Sequence, residues 1–197
     1  MTSRRDFLAA ALASAGPLHF ADIGPILTAP ARHKQVFGIR RVSDGEGLLQ
    51  MRNALNAYEV ALGEGPGTLH AAGIFYGGSS VAIAFNGAAW TTYRIADALK
   101  LRGDPIAEGS APGNPFASGG DASIATLVGR GASFFVCNNA LEGFAKSLSA
   151  GLGVVHDPIE HVADALRASL LPGTTLVPAG VAALNDAQEQ HYSYVAV

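Results

Sequence analysis

The chain has 197 residues, of which 49% are apolar and 15% are charged, and its formal net charge at pH 7 is -3. This length suits one α/β domain, and the apolar content is ample for a buried core, which excludes a wholly disordered chain. Lysine and arginine are scattered after the first few residues, so we expect no nucleic-acid partner. Charged residues usually make up about a quarter of a soluble domain, so the low charge favours buried strands or a subunit interface, and we expect a homo-oligomer.

The N-terminus has the features of an export signal. Arg4 and Arg5 stand directly before an apolar, alanine-rich run over residues 7–15, and small residues follow. This arrangement is typical of the twin-arginine pathway, so we expect residues 1–21 to be a signal peptide and the mature protein to be periplasmic. The alternative is an ordinary amphipathic helix with two exposed arginines, which Asp6 and the shortness of the run leave open.

The rest of the chain alternates between strand-like and helix-like segments. Residues 22–34 contain two prolines and predict an extended lead-in to a domain over residues 35–197. The predicted elements are, in order, a strand over 35–42, a helix from 43–46 to Gly63, a strand over 68–76, a run of either type over 81–85, a helix over 88–101, a glycine-rich loop over 103–120, a helix over 121–128, a strand over 132–137, a helix from Asn138, a helix over 161–171 and a strand over 174–177.

This βα alternation predicts a single-domain α/β fold with a mostly parallel central sheet and helices on both faces. In such folds, ligands bind beyond the carboxyl ends of the strands. Residues 71–93 include no charged residue, but glycine and polar residues interrupt the stretch. We therefore interpret it as buried core and expect no membrane contact beyond the export signal.

Cys137 is the leading candidate for chemistry. It is the one cysteine of the chain, so an internal disulfide is impossible. At the predicted turn from a strand to a helix, a thiol meets the unpaired amides and the positive end of the helix, which favour the nucleophilic thiolate. A lone thiol of this kind fits a carrier of sulfur as a persulfide. The alternative is a small apolar residue of the core, because free cysteine is among the most buried residue types.

A second group of residues forms a candidate ligand pocket. Trp90 and Tyr93 lie one helical step apart and are candidates to line a pocket over the sheet, with Arg94 beside them to meet an anion. Asn86 and Asn138 complete this group. The alternatives are structural, because aromatic pairs more often pack in a core and asparagines often serve turns.

The segment 156–161 contains two histidines and two carboxylates and suggests a metal site. A helix start explains the same residues without a metal, with Asp157 as N-cap, Pro158 at the first helical position and Glu160 completing a capping box. We therefore expect neither a metal nor another cofactor. The GxSxG, SxxK, GxxxxGK[ST], HExxH and CxxC motifs are absent from the sequence, which removes the main support for hydrolase, nucleotide-binding and zinc functions.

Three segments, over residues 129–141, 176–181 and 188–194, resemble the DsrE/DsrF-like (YchN-like) superfamily. Phe85, Asn86, Trp90 and Tyr93 also resemble an exported branch of it, and the similarity spans about residues 35–197. The resemblance implies a parallel α/β sheet, assembly as trimers or hexamers and, in sulfur-relay members, a cysteine that carries a persulfide. Cys137 matches that position. The implied partners are a sulfur donor or acceptor protein, or a small sulfur compound.

Two functions therefore stand open for the exported protein. The first is a periplasmic sulfur carrier that acts through Cys137, at most a sulfurtransferase-like activity. The second is a non-catalytic small-molecule-binding or assembly module of the periplasm, which uses the neighbourhood of Trp90 or the loop over 103–120 and keeps Cys137 buried. A weaker third is a metal-dependent enzyme built on His156 and His161.

Overall fold

The computed structural model describes residues 20–101, 113–151 and 158–197. The paired arginines of the predicted export signal, most of the predicted loop over 103–120, and His156 and Asp157 lie outside these residues. No helix within these ranges has the length and apolar character needed to cross a membrane. The elements are α1 (Gly24–Leu27), β1 (His33–Ile39), α2 (Glu46–Asn56), β2 (Leu69–Phe75), α3 (Gly87–Thr92), α4 (Ile95–Ala98), α5 (Ile124–Gly129), β3 (Ser133–Cys137), α6 (Asn138–Gly151), α7 (Ile159–Ala168), β4 (Thr174–Val177), α8 (Gly180–Glu189) and β5 (Ser193–Ala196).

The strands form one sheet in the order β4-β3-β2-β1-β5. Each of the pairings between these strands is parallel. Parallel neighbours need crossover connections, such as α2 between β1 and β2. The helix α8 connects β4 at one edge of the sheet to β5 at the other edge. The predicted α/β fold with a parallel central sheet and helices on both faces is confirmed.

Alternate strand residues enter two separate cores. Phe37, Phe75 and Phe134 face the larger core, which also contains buried residues of α2, α3, α6 and α7. Val36 and Ile74 face the smaller core beneath α1 and α8. Successive side chains of a strand point to opposite faces, so one sheet serves both cores. β2 is buried at every residue, as a central strand covered on both faces must be.

The structure differs from the predicted elements at several places. The expected extended lead-in contains α1, because Pro25 fixes a helical φ in its first turn and Leu27 packs into the smaller core. The helix expected over 88–101 divides into α3 and α4 at Arg94, whose φ of 48° is left-handed. The residue pattern also did not predict α8 or β5.

Close backbone contact joins the ends of β1 and β2. A Cβ atom added at Gly77, just after β2, would lie 1.8 Å from the carbonyl oxygen of Arg40, just after β1. A Cβ atom added at the next residue, Gly78, would meet no atom within 4 Å. Glycine is therefore required at position 77 for space, and these two adjacent positions make a matched pair.

We expect Gly77→Ala to lower the free energy of unfolding by roughly 1–3 kcal/mol, because the backbone at Arg40 has to move to admit the methyl group. Gly78→Ala should change it by less than about 0.5 kcal/mol. Urea denaturation of both variants measures the difference. Equal losses in the two variants would contradict the close contact.

A buried polar cluster holds α1 against the amino end of the sheet. His70 is 8% exposed and hydrogen-bonds to Tyr192 through Nδ1 and to the Ser133 hydroxyl, 3.0 Å away, through Nε2. The Leu27 carbonyl at the end of α1 accepts hydrogen bonds from the Tyr192 hydroxyl at 3.2 Å and from Lys34 Nζ at 3.0 Å. Burial, and then the charge of Lys34, lower the pKa of His70 from 6.5, while burial raises the pKa of Tyr192 to about 12.

The lowered pKa of His70 predicts stability that is lost on acidification. In the unfolded chain this histidine titrates near 6.5, so the unfolded state binds the proton first as pH falls. The contribution of His70 to the free energy of unfolding should therefore be fully present above that pH. It should decrease below that pH and level off below the folded-state pKa. Urea denaturation between about pH 8 and pH 5 should show a shallower decrease for His70→Gln than for wild type or the control His161→Gln. If the free energy of unfolding of His70→Gln decreased as steeply with falling pH as that of the wild type, this prediction would be refuted.

Candidate functional site

Cys137 is the last residue of β3, and α6 begins at the next residue. Its side chain lies at the carboxyl edge of the parallel sheet, the edge at which open α/β folds bind ligands. The residue is 6% exposed, and its sulfur accepts a hydrogen bond from the Ala140 backbone N–H, with a nitrogen–sulfur distance of 3.4 Å. The first turn of α6 thus directs an amide donor at the thiol.

Strand register places Arg40, Tyr76 and Cys137 side by side, and we call these three residues the strand-end row. Each stands one residue beyond a set of paired positions on β1, β2 and β3. Adjacent strands lie about 4.8 Å apart, so the three Cα atoms span about 10 Å. The guanidinium carbon of Arg40 is 6.0 Å from the centre of the Tyr76 ring. The row therefore joins a cation, an aromatic ring and the thiol on the sheet face that α8 covers.

The start of α8 packs directly on the strand-end row. A Cβ atom at Gly180 would lie 2.4 Å from Cβ of Tyr76 and 3.1 Å from Cβ of Cys137. The Tyr76 hydroxyl lies 3.4 Å from the Tyr194 hydroxyl of β5. Burial, and then the hydrogen bond between the Tyr76 and Tyr194 hydroxyls, raise the pKa of Tyr76, so this phenol is neutral at pH 7. Tyr76 and the first turn of α8 are thus the contacts that enclose the thiol.

A charged network on α6 and α7 fixes the residue after Cys137. Arg167 donates from Nε to the Asn138 side-chain oxygen at 2.9 Å. Its two terminal nitrogens pair with Glu142 at 2.5 Å and with Asp164 at 2.7 Å. The Asn138 amide donates to Glu142 at 3.0 Å. Asn138, a predicted pocket residue, thus lies beside the thiol with its side chain engaged in this network.

We expect Arg167→Met to lower the free energy of unfolding by about 1.5–3 kcal/mol, because the hydrogen bonds of a charged group that is only 14% exposed are lost. The matched control is Arg52→Met, which breaks the ion pair to Asp121, 73% exposed, and should cost less than about 1 kcal/mol. Urea denaturation of both variants gives the comparison. A larger loss in the control would be inconsistent with the network.

The other four predicted pocket residues have structural contacts. Asn86 caps α3, since its side-chain oxygen accepts a backbone N–H at 3.0 Å. Trp90 is 1% exposed and donates its indole N–H to a carbonyl at 2.9 Å, and Tyr93 is fully buried. Arg94 pairs with Asp97 at 2.6 Å. The two rings belong to the larger core, on the opposite sheet face from the thiol, and burial leaves them almost no surface for a ligand.

Residues of the types that can ligate a metal are dispersed in the part of the chain that the structure describes. No group of three or more His, Cys, Asp or Glu residues there is arranged to hold a metal ion. His161 lies in α7, which begins at Ile159 directly after Pro158. The helix thus begins one residue later than predicted, with Pro158 preceding its first residue.

A cleft of about 470 Å³ opens beyond the carboxyl ends of β1, β2 and β5. We call it the arginine cleft, and its lining residues are Arg40, Arg41, Ser43, Glu46, Gly77, Gly78 and Val197. None of them belongs to the ligand pocket predicted from the sequence. A signal was present, because paired arginines stand near the end of one predicted strand and paired glycines follow the next, at the edge where parallel sheets bind ligands.

No family model matches the chain, and no curated protein is significantly similar to it. The chain is similar to a solved structure, that of protein MTH1491 from Methanobacterium thermoautotrophicum, a protein of unknown function. The two sequences are 18% identical, the TM-score is 0.45, and the match covers 84% of this chain and 99% of that chain.

Proposed function

We propose that the protein is an exported, DsrE-like sulfur carrier that holds sulfur as a persulfide on Cys137. The observation that carries this proposal is the position of the thiol at the carboxyl edge of β3, with the Ala140 N–H donating to its sulfur. The residue pattern over 35–197 supports the carrier class. Arg4 and Arg5 before an apolar run support export to the periplasm.

The transfer step needs only the thiol and a donor that contains a sulfane sulfur, such as thiosulfate or a polysulfide. The Cys137 thiol releases its proton to solvent, and the thiolate attacks the outer sulfur of thiosulfate. A new bond forms between Sγ and that sulfur, the sulfur–sulfur bond of thiosulfate breaks, and sulfite leaves with the electron pair. An acceptor thiolate then attacks the outer sulfur of the persulfide and restores Cys137.

The start of α6 assists both stages of this reaction. Negative charge lies on sulfur in the thiolate and in the persulfide alike. The amide donor at Ala140 and the positive end of the 14-residue α6 stabilise that charge. The network around Arg167 holds the first turn of the helix in place, so the amide stays directed at the sulfur.

A non-catalytic binding or assembly module is the second candidate function. The observation that favours it is the 6% exposure of Cys137, because a buried free cysteine often serves only as a small apolar residue. The two functions make opposite demands on the thiol. A carrier needs the sulfur to be reachable when Tyr76 or the start of α8 moves, whereas a module needs it to stay enclosed.

Intact-mass analysis of the mature protein tests the carrier. After incubation with thiosulfate or polysulfide, we expect mass increments of whole sulfur atoms that a reductant removes and that Cys137→Ser does not show. Circular dichroism of Cys137→Ser provides the folding control. Equal increments in that variant would contradict the proposal. An unmodified wild type whose thiol reacts with alkylating reagents only after denaturation would support the module instead.

A further inference from the structure

Among the arginines in the described part of the chain, Arg40 and Arg41 are distinguished by their lack of a carboxylate partner. Within residues 20–101, 113–151 and 158–197, neither guanidinium forms an ion pair, and both residues are exposed. A guanidinium offers five N–H donors in a rigid fork that matches the oxygens of an anion. The remaining arginines of those ranges all pair with Asp or Glu, and they are Arg32, Arg52, Arg94, Arg130 and Arg167.

The arginine cleft gives these two cations a shared space. Its volume of about 470 Å³ admits a small anion together with bound water. A Cβ atom at Gly78 would meet nothing within 4 Å, so a larger residue there would project into open space. Ser43 adds a hydroxyl donor. Glu46 is the acidic residue of the lining, and its charge opposes an anion and supplies a natural control.

Arg40 connects the arginine cleft to the thiol. It lines the cleft and also belongs to the strand-end row, where its guanidinium lies 6.0 Å from the Tyr76 ring centre. The spacing of the strands places the Cα atoms of Arg40 and Cys137 about 10 Å apart. An arginine side chain and a small donor molecule together bridge such a distance.

We propose that the arginine cleft binds the anionic end of a sulfane-sulfur donor, with Arg40 and Arg41 as positioning residues for attack by Cys137. Binding of the anion rests on the cleft itself, whereas its use as a donor rests on the proposed carrier function. Thiosulfate has the required chemistry, since its oxygens accept guanidinium N–H donors while its outer sulfur is the atom that the thiolate attacks. A neutral organic trisulfide contains sulfane sulfur but has no such oxygens.

Calorimetric titration with thiosulfate tests the binding step in the Cys137→Ser background, where no transfer takes place. Adding Arg40→Gln or Arg41→Gln should weaken binding about tenfold, because a charge-assisted hydrogen bond to the anion is lost. Adding Glu46→Gln should strengthen binding, and adding Arg52→Gln, on the outer face of α2, should leave it unchanged. The affinity should also fall as salt rises. Binding that is equal in all these variants would overturn the proposal.

Transfer kinetics separate this inference from the carrier function on which it rests. In the protein with an intact Cys137, the ratio of the reaction rate with thiosulfate to that with a neutral trisulfide should fall about tenfold in Arg40→Gln and Arg41→Gln. If both the rate ratio and thiosulfate binding stayed unchanged in these variants, the proposed role of the arginine cleft would be overturned and the proposed carrier function would stand. Arginine-dependent binding without any persulfide in wild type would overturn the carrier and the donor role, and leave an anion site.

Discussion

Close approach of the backbone at the carboxyl edge of the sheet is the constraint on which the site depends. The space for the Arg40 carbonyl exists because position 77 has no side chain, and α8 reaches Tyr76 and Cys137 because Gly180 has none. A parallel sheet covered on both faces buries nearly all of its strand residues, so polar chemistry is confined to the strand ends. The glycine contacts decide how closely those ends and the helix that follows them come together. They therefore set how closely α8 covers the cation, the ring and the thiol, whose spacing the strand register fixes.

Charges at this edge fall into two groups with different roles. Arg167 is nearly buried and pairs with Asn138, Glu142 and Asp164, so its charge is neutralised and its hydrogen bonds define geometry. Arg40 and Arg41 are exposed, and no carboxylate of the described chain neutralises them. A paired buried cation is costly to disturb because removal of one partner leaves the others unsatisfied. An unpaired exposed cation costs the fold little and keeps its charge for an incoming anion.

Sequence patterns predicted the fold well where local periodicity dominates. The predicted strand over 174–177 has the same bounds as β4. The predicted apolar face of the helix after the first strand includes Leu48, Met51 and Leu55, which are buried residues of α2. Residue spacing does not reveal what covers a buried face. The spacing of Trp90 and Tyr93 therefore suggests a pocket, whereas both rings pack in the larger core. β5 was missed because this edge strand is mostly exposed and lacks an apolar run. The strand-end row was missed because it depends on register between strands that are far apart in the chain, which no local pattern encodes.

Electrostatics gives a reason why a thiol and two free arginines belong to the same edge. Transfer of sulfur from thiosulfate brings a dianion to a thiolate, so reactants of like charge must approach within bonding distance, and their repulsion grows as the site excludes water. At the thiol, the amide at Ala140 and the positive end of α6 offset one of these charges. The donor's charge needs a separate cation, because helix-end effects fade within about one turn. In the proposed transfer, Arg40, two strands away on the same sheet face, supplies that cation on the donor side of the bond that forms.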